Sequence, residues 1–227
     1  GSGPTVADPT TLAEAREVLT RYGIEPPPAI AAALDNPANE TVKPGDPRLA
    51  NSTYTLVATP KGSLAAAADA ARKAGYRVDV LGDSLEGEAR DVARFHAAMA
   101  LDAKRRGERV AFLSGGELTV TIRGNGSGGP NQEYALALAI ALDGEAGVNA
   151  LAADTDGIDG GGGNPDDPAG AVIDPGTLAR ARERNLNAAA FLENNDSTGF
   201  FTKVGGLLQC GSTQTNVNDL RVILVDP

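Results

Sequence analysis

The chain has 227 residues, a formal net charge of −10, 41% hydrophobic and 4% aromatic residues, no tryptophan and one cysteine. An acidic balance of that size repels phosphate backbones and anionic lipid surfaces, so nucleic-acid and membrane partners are disfavoured. The lone Cys210 forbids an intrachain disulfide and is expected as a small buried residue, which together with the lack of any run near the roughly 18 apolar residues of a membrane span predicts a cytoplasmic setting.

Residues 1–6 read as the middle of a loop, so the chain is expected to begin inside a longer protein. Thr11 and Glu14 form a capping box that opens a helix over 10–22, with Leu12, Ala15, Val18, Leu19 and Tyr22 on one face. A short Ala-rich helix is predicted over 28–35, and 36–52 has the Asn, Pro, Gly and Asp content of a linker. A strand at 54–58, a helix at 63–74 and a strand at 76–81 then predict a βαβ unit. A long helix at 86–106 carries Val92, Ala93, His96, Met99, Ala100 and Ala103 on one stripe, which makes His96 a core histidine rather than a catalytic base.

Strands at 109–113 and 118–123 are predicted to form a hairpin around Ser114-Gly-Gly-Glu117. A glycine loop at 124–129, a helix at 131–142, a buried strand at 148–153 and an acidic loop at 154–168 follow. The remainder reads as a segment at 171–174, helices at 176–184, 187–194 and 197–203, and a terminal strand at 220–225. The fold class is therefore α/β, a layered sandwich with a mixed, largely parallel sheet flanked by helices and preceded by a helical arm. Residues 52–227 form the main domain.

Three loops carry candidate chemistry. In Gly124-Asn-Gly-Ser-Gly-Gly129-Pro-Asn-Gln-Glu133, glycines permit close backbone approach, and amides of Gly126, Ser127, Gly128 and Gly129 can cradle phosphate; a purely steric role for these glycines is the alternative. Gly124, Gly126 and Gly129 also satisfy G-x-G-x-x-G, which keeps a dinucleotide reading open. The loop Asp154-Thr-Asp156-Gly-Ile-Asp159-Gly follows a buried strand; Asp156 and Asp159 are candidate ligands for a hard cation such as Mg²⁺, against the alternative of Asx turns. The fifth position, Ile158, and the twelfth, Pro165, exclude an EF-hand. Ser114, Gly115, Gly116 and Glu117 can face the same cleft, and Thr155, Asn216 and Asp219 are candidates for holding a substrate or bracing the other loops.

In order and spacing, Ser2-Gly-Pro-Thr-Val-x-Asp8, Leu85-Glu-Gly-Glu-Ala-Arg90, Ser114-Gly-Gly-Glu117, Gly128-Gly-x-Asn-Gln-Glu133, Asp154-Thr-Asp-Gly-Ile-Asp-Gly160, Asn195-Asp-Ser197 and Thr215-Asn-Val-Asn-Asp-Leu220 resemble the glycerate 2-kinase family. Its C-terminal module is called MOFRL, and its members were often labelled hydroxypyruvate reductases. The resemblance implies phosphoryl transfer from ATP to the 2-hydroxyl of D-glycerate with Mg²⁺, between two α/β domains. It makes residues 1–51 the closing segment of an otherwise absent N-terminal domain, which would be a partner alongside glycerate. A homodimer is left open, as are activity of this half alone, an NAD(P)H-dependent hydroxypyruvate reductase, and an inactive ligand-binding fragment.

The implied roles place Glu117, Asn131, Glu133 and Arg123 in catalysis and Ser114, Gly115, Gly116 and 126–129 on the nucleotide phosphates. Thr155, Asn216 and Asp219 would bind substrate, and Asp156 and Asp159 metal. The family loop commonly reads G-R-G-G-R-N-Q-E, whereas Ser127 and Pro130 stand here at the arginine positions. Either Arg123 or the absent domain then supplies the cation that phosphoryl transfer requires, or catalysis is impaired.

Overall fold

A computed structural model describes residues 6–160, 164 and 166–227. The opening turn at 1–5 and Pro165 in the acidic loop lie outside the described residues. The chain divides into two compact units, Gly1–Val57 and Ala58–Pro227.

In the first unit α1 (Leu12–Arg21) opens on the expected capping box of Thr11 and Glu14, and α2 (Pro28–Asp35) starts with proline at its first position. Proline fits there because its missing N–H would have no helical partner. Neither helix buries a residue; Val18 and Tyr22 remain 48% and 70% exposed. Two short 3₁₀ turns, Pro37–Asn39 and Pro47–Leu49, follow. The strand predicted at 54–58 is absent: Tyr54, Leu56 and Val57 are exposed, and no ladder pairs with them. β propensity without a partner strand does not make a strand.

The second unit begins with α3 (Pro60–Lys73), capped by Thr59, whose side chain accepts from the Gly62 N–H. It continues through β1 (Arg77–Leu85), α4 (Ala89–Arg105), β2 (Val110–Gly116), α5 (Pro130–Leu142), β3 (Val148–Asp154) and β4 (Gly170–Ile173). Then come α6 (Thr177–Glu183), α7 (Ala188–Glu193), α8 (Ser197–Val204), β5 (Leu207–Leu208) and β6 (Asp219–Val225). The two-residue β5 is too short to leave a period-2 pattern in the sequence.

The six strands form one mixed sheet in the order β1-β2-β6-β3-β4-β5. Only β1 and β2 pair in parallel, joined through α4; β2–β6, β6–β3, β3–β4 and β4–β5 are antiparallel. The parallel share is smaller than expected because β6 inserts between β2 and β3, which themselves point the same way. β1 and β6 flank β2, so both its edges are taken. Residues 118–123 therefore cannot fold back as a hairpin, and they make a single bridge, Glu88 to Thr119.

Side-chain alternation sorts the core onto two faces, as a pleated strand requires. Val110, Phe112, Val148, Ala150, Ala152, Ile223 and Val225 join the main cluster with α4 and α5, while Leu113, Val222 and Leu220 pack under Leu64 and Ala68 of α3. On α4 the buried stripe is Ala89, Ala93, Ala97, Ala100 and Ala103, with Arg90 and His96 beside it. Small side chains let α5 approach closely, and α5 is buried on nearly every side, as an apolar helix without a polar face must be.

Candidate active site

β1, β2 and β3 share one direction and β6 opposes them, so three carboxyl ends and the amino end of β6 meet at one margin of the sheet. Open α/β sheets present ligand groups in that position. β2 ends there in Ser114, Gly115 and Gly116. Gly116 has φ 93°, and a β-carbon on it would lie 2.2 Å from the Leu85 backbone, so only glycine fits. Glu117 follows at once and is exposed; its N–H donates to the Leu85 carbonyl at 2.9 Å, and its side chain has no partner among the described residues.

The amino end of α5 is filled from within the protein. Asp159, 2% exposed, accepts from the Asn131 and Gln132 backbone N–H groups at 2.9 and 2.8 Å and from both side-chain amides at 3.1 Å. An ionised carboxylate is stabilised by free helix N–H groups, although burial pushes Asp159 up to about 6 against those four bonds. Its oxygens are thereby committed to α5 rather than turned to a metal. Asn131 Nδ2 also donates to Asp219 at 2.7 Å, and the other Asp219 oxygen takes Arg221 at 2.5 Å.

A second buried pair lies on the other side of α5. Arg90 and Glu133, each about 3% exposed at the side chain, meet at 2.8 Å. Asn195 donates to the free Glu133 oxygen at 2.9 Å and accepts the Arg123 and Gly124 N–H groups at 2.7 and 3.0 Å. The glycine loop is stitched down beyond that point: Asn125 donates to Asn194 Oδ1, Gly126 to the Asn194 carbonyl and Ser127 to Asp196. β-carbons on Gly124, Gly126 and Gly128 would strike Asn194, Asp196 and Ser197, and one on Gly129 would strike Asp159. Steric need accounts for these glycines, and of the amides proposed as a phosphate cradle, Gly128 and Gly129 alone have no partner among the described residues. Arg123 is exposed and its guanidinium is unpaired among them.

The acidic loop is braced in the same manner. Asp156 accepts from Ile158 N–H at 2.8 Å and from Asn216 Nδ2 at 3.2 Å. Thr155 Oγ1 donates to the Asn218 carbonyl at 2.6 Å and accepts the Val217 N–H at 2.9 Å. Thr155 and Asn216 therefore tie 154–160 to 213–218. Asp154, which the sequence favours less than Asp156 and Asp159 as a ligand, is half-buried and raised to about 6, first by burial and then by Asp156 and Asp219, with the Asp156 N–H opposing. Asp159 turns its oxygens to α5, and no cluster of three His, Cys, Asp or Glu among the described residues is arranged for a metal. Asp156, with Asp154 beside it, is the carboxylate that would meet a Mg²⁺ held mostly by water and phosphate oxygens.

His96 is buried with Nδ1 2.8 Å from the Tyr134 hydroxyl, a core histidine as expected. Cys210 is exposed instead of buried, because it lies in an irregular stretch after β5. Arg221 and Asn195 escaped the sequence reading. Arg221 had a signal: it shares parity with Ile223 and Val225 on the core face of an otherwise apolar strand. Asn195 had none beyond its place in the Asn-Asp-Ser run, since its partners lie 62 to 74 residues away.

Fold and strand-end loops together define an α/β domain with one mixed sheet, similar to solved glycerate kinases. Superposition on the crystal structure of glycerate kinase from Thermotoga maritima gives a TM-score of 0.78 at 36% identity, covering 96% of this chain and 51% of that one. Residues 110–219 match the model of the MOFRL family. Glycerate 2-kinase of Pyrococcus horikoshii is 38% identical over 236 residues, 99% of this chain and 52% of its own length. An Agrobacterium vitis protein with the provisional name hydroxypyruvate reductase is 46% identical over 230 residues, 99% of this chain and 51% of its own. The chain spans about half the length of these relatives. No helix among the described residues is long and apolar enough to cross a membrane.

Proposed function

We propose that this chain is the C-terminal half of an ATP-dependent glycerate 2-kinase, which moves the terminal phosphoryl group of ATP to the 2-hydroxyl of D-glycerate. The observation that carries the reading is the likeness to glycerate kinases along nearly the whole chain, in sequence and in fold. In this reading residues 1–51 are the closing segment of an N-terminal domain.

Phosphoryl transfer asks a protein chiefly for positioning and for positive charge near the moving oxygens. Arg123, exposed and unpaired beside the glycine loop, supplies the cation in place of the residues missing at Ser127 and Pro130. The unengaged amide of half-buried Gly128 holds a phosphate oxygen, and the buried strand end 114–116 is the wall behind it. Glu117 orients the acceptor hydroxyl. Asn131, Glu133, Asp159 and Asp219 hold this arrangement in place from below, since their polar atoms are turned inward.

The test is to supply the chain, alone and joined to the remaining half, with ATP and D-glycerate and to follow ADP and 2-phosphoglycerate by phosphorus NMR. The two products should appear in equal amounts, and Arg123→Ala should slow their formation on the order of 10²-fold, the usual cost of one transition-state donor. Oxidation of NADPH by hydroxypyruvate, without ADP formation, would replace the kinase by a reductase. Nucleotide binding without either reaction would leave a binding fragment.

A further inference from the structure

We infer that Arg221 is a positioning residue, which pins the strand end 114–116 as a wall of the donor-phosphate site and is itself held through Asp219 and Asn131 by α5. The inference rests on the kinase reading for the identity of the donor. The β2–β6 ladder ends at the pair Ser114 and Arg221, so Gly115 and Gly116 run beyond the last backbone pairing on that side. Two glycines have no side chains to anchor them and an unusually wide choice of backbone conformations.

Arg221 replaces the missing ladder with its side chain. Nη1 donates to the Gly115 carbonyl at 2.9 Å and Nη2 to the Gly116 carbonyl at 3.4 Å. Nη2 also meets Asp219 at 2.5 Å, while Nε is buried without a partner. Arg221 is 1% exposed, and a charge buried that deeply is a poor device for stability, since apolar pairs of like volume do as well or better. What an apolar pair cannot do is hold two consecutive carbonyls in a fixed fork; a lysine, with one compact ammonium, can hold one. From Asp159 through Asn131 and Asp219 to Arg221, the same bonds connect the acidic loop and α5 to the strand end.

The test uses the full chain with Arg221→Lys and with the paired change Arg221→Met/Asp219→Leu. Amide exchange at 114–117, the thermal midpoint, and kcat and KM for ATP with D-glycerate are measured. Exchange at 114–117 should accelerate at least about tenfold in both variants while 110–113 is unchanged. In Arg221→Lys the KM for ATP should rise about tenfold with kcat within about threefold, whereas the paired variant should lower the midpoint as well, because Asn131 and the two glycine carbonyls lose buried partners. Exchange at 114–117 that stays unchanged, exchange that speeds up uniformly across 110–117, or an unchanged KM for ATP in active enzyme would overturn the assignment. Should the paired variant fail to fold, Arg221→Lys decides by the same readings. If wild type joined to the remaining half does not phosphorylate glycerate, the kinase reading fails separately, and exchange together with the calorimetric Kd for ATP decides the role of Arg221.

Discussion

Asn195 holds a left-handed backbone with φ 53° and uses its amide to join three segments: the Thr121 carbonyl and the Arg123 and Gly124 N–H groups, Glu133 on α5, and its own place before α8. Asparagine tolerates that backbone better than other residues with a β-carbon. Asn195→Ala should cost about 3 kcal/mol in urea denaturation, because it adds backbone strain and leaves a buried carboxylate oxygen and two amides without partners. Asn195→Gly should recover only the strain. At this scale sequence reading named residues that the structure gathers around α5 but not their partners. It placed Asn131, Glu133, Asp159 and Asp219 at the site, yet which way each side chain turns depends on residues far along the chain.

Among the elements, the end of β2 is held by sterics as well as by hydrogen bonds. Gly116→Ala should cost about 3 kcal/mol or more, since its β-carbon would overlap the Leu85 backbone and its positive φ disfavours any side chain. Loss of soluble, cooperatively melting protein is the expected result; a variant that melts within a degree of wild type would show that the strand end is slack. Most helices were legible to within about three residues, because capping at Thr11 and Asp196 and the alanine stripe of α4 are local signals; α3 was expected at 63–74, and its cap at Thr59 and proline start at Pro60 were missed. Strands were legible only where hydrophobic runs had partners: 148–153 and 220–225 became β3 and β6, whereas 54–58 and 118–123 had the composition without a free edge to join.

For the whole molecule, pH acts on two buried groups in opposite senses. Burial, aided by the charge of Arg221, holds His96 down to about 4, so the unfolded chain takes up the proton first and stability is lost as pH falls from about 6.5 towards 4. Asp159 is raised to about 6, so the native state takes up the proton first and stability is gained as pH falls from 6 towards 4. Asp154, also raised to about 6, acts in the same sense as Asp159, so wild type should gain stability modestly as pH falls across that window. Replacing His96 by Gln removes the loss, and stability at pH 4.5 relative to pH 7 should exceed the wild-type difference by on the order of 2 kcal/mol. Equal pH slopes for the two proteins would place His96 in contact with water.

The position of β6 also governs how the sheet is made. During synthesis β2 and β3 leave the ribosome long before Asp219–Val225, and until those residues emerge the two strands have no common neighbour. The central seam therefore closes late, through a contact between distant parts of the chain, which is the slow kind of folding step. Asp219 and Arg221 arrive on that strand, so the wall of the proposed phosphate site is set by the event that completes the sheet. Chains stalled on the ribosome before Asp219 should be cleaved readily by protease between β2 and β3, and chains stalled well past Val225 should resist.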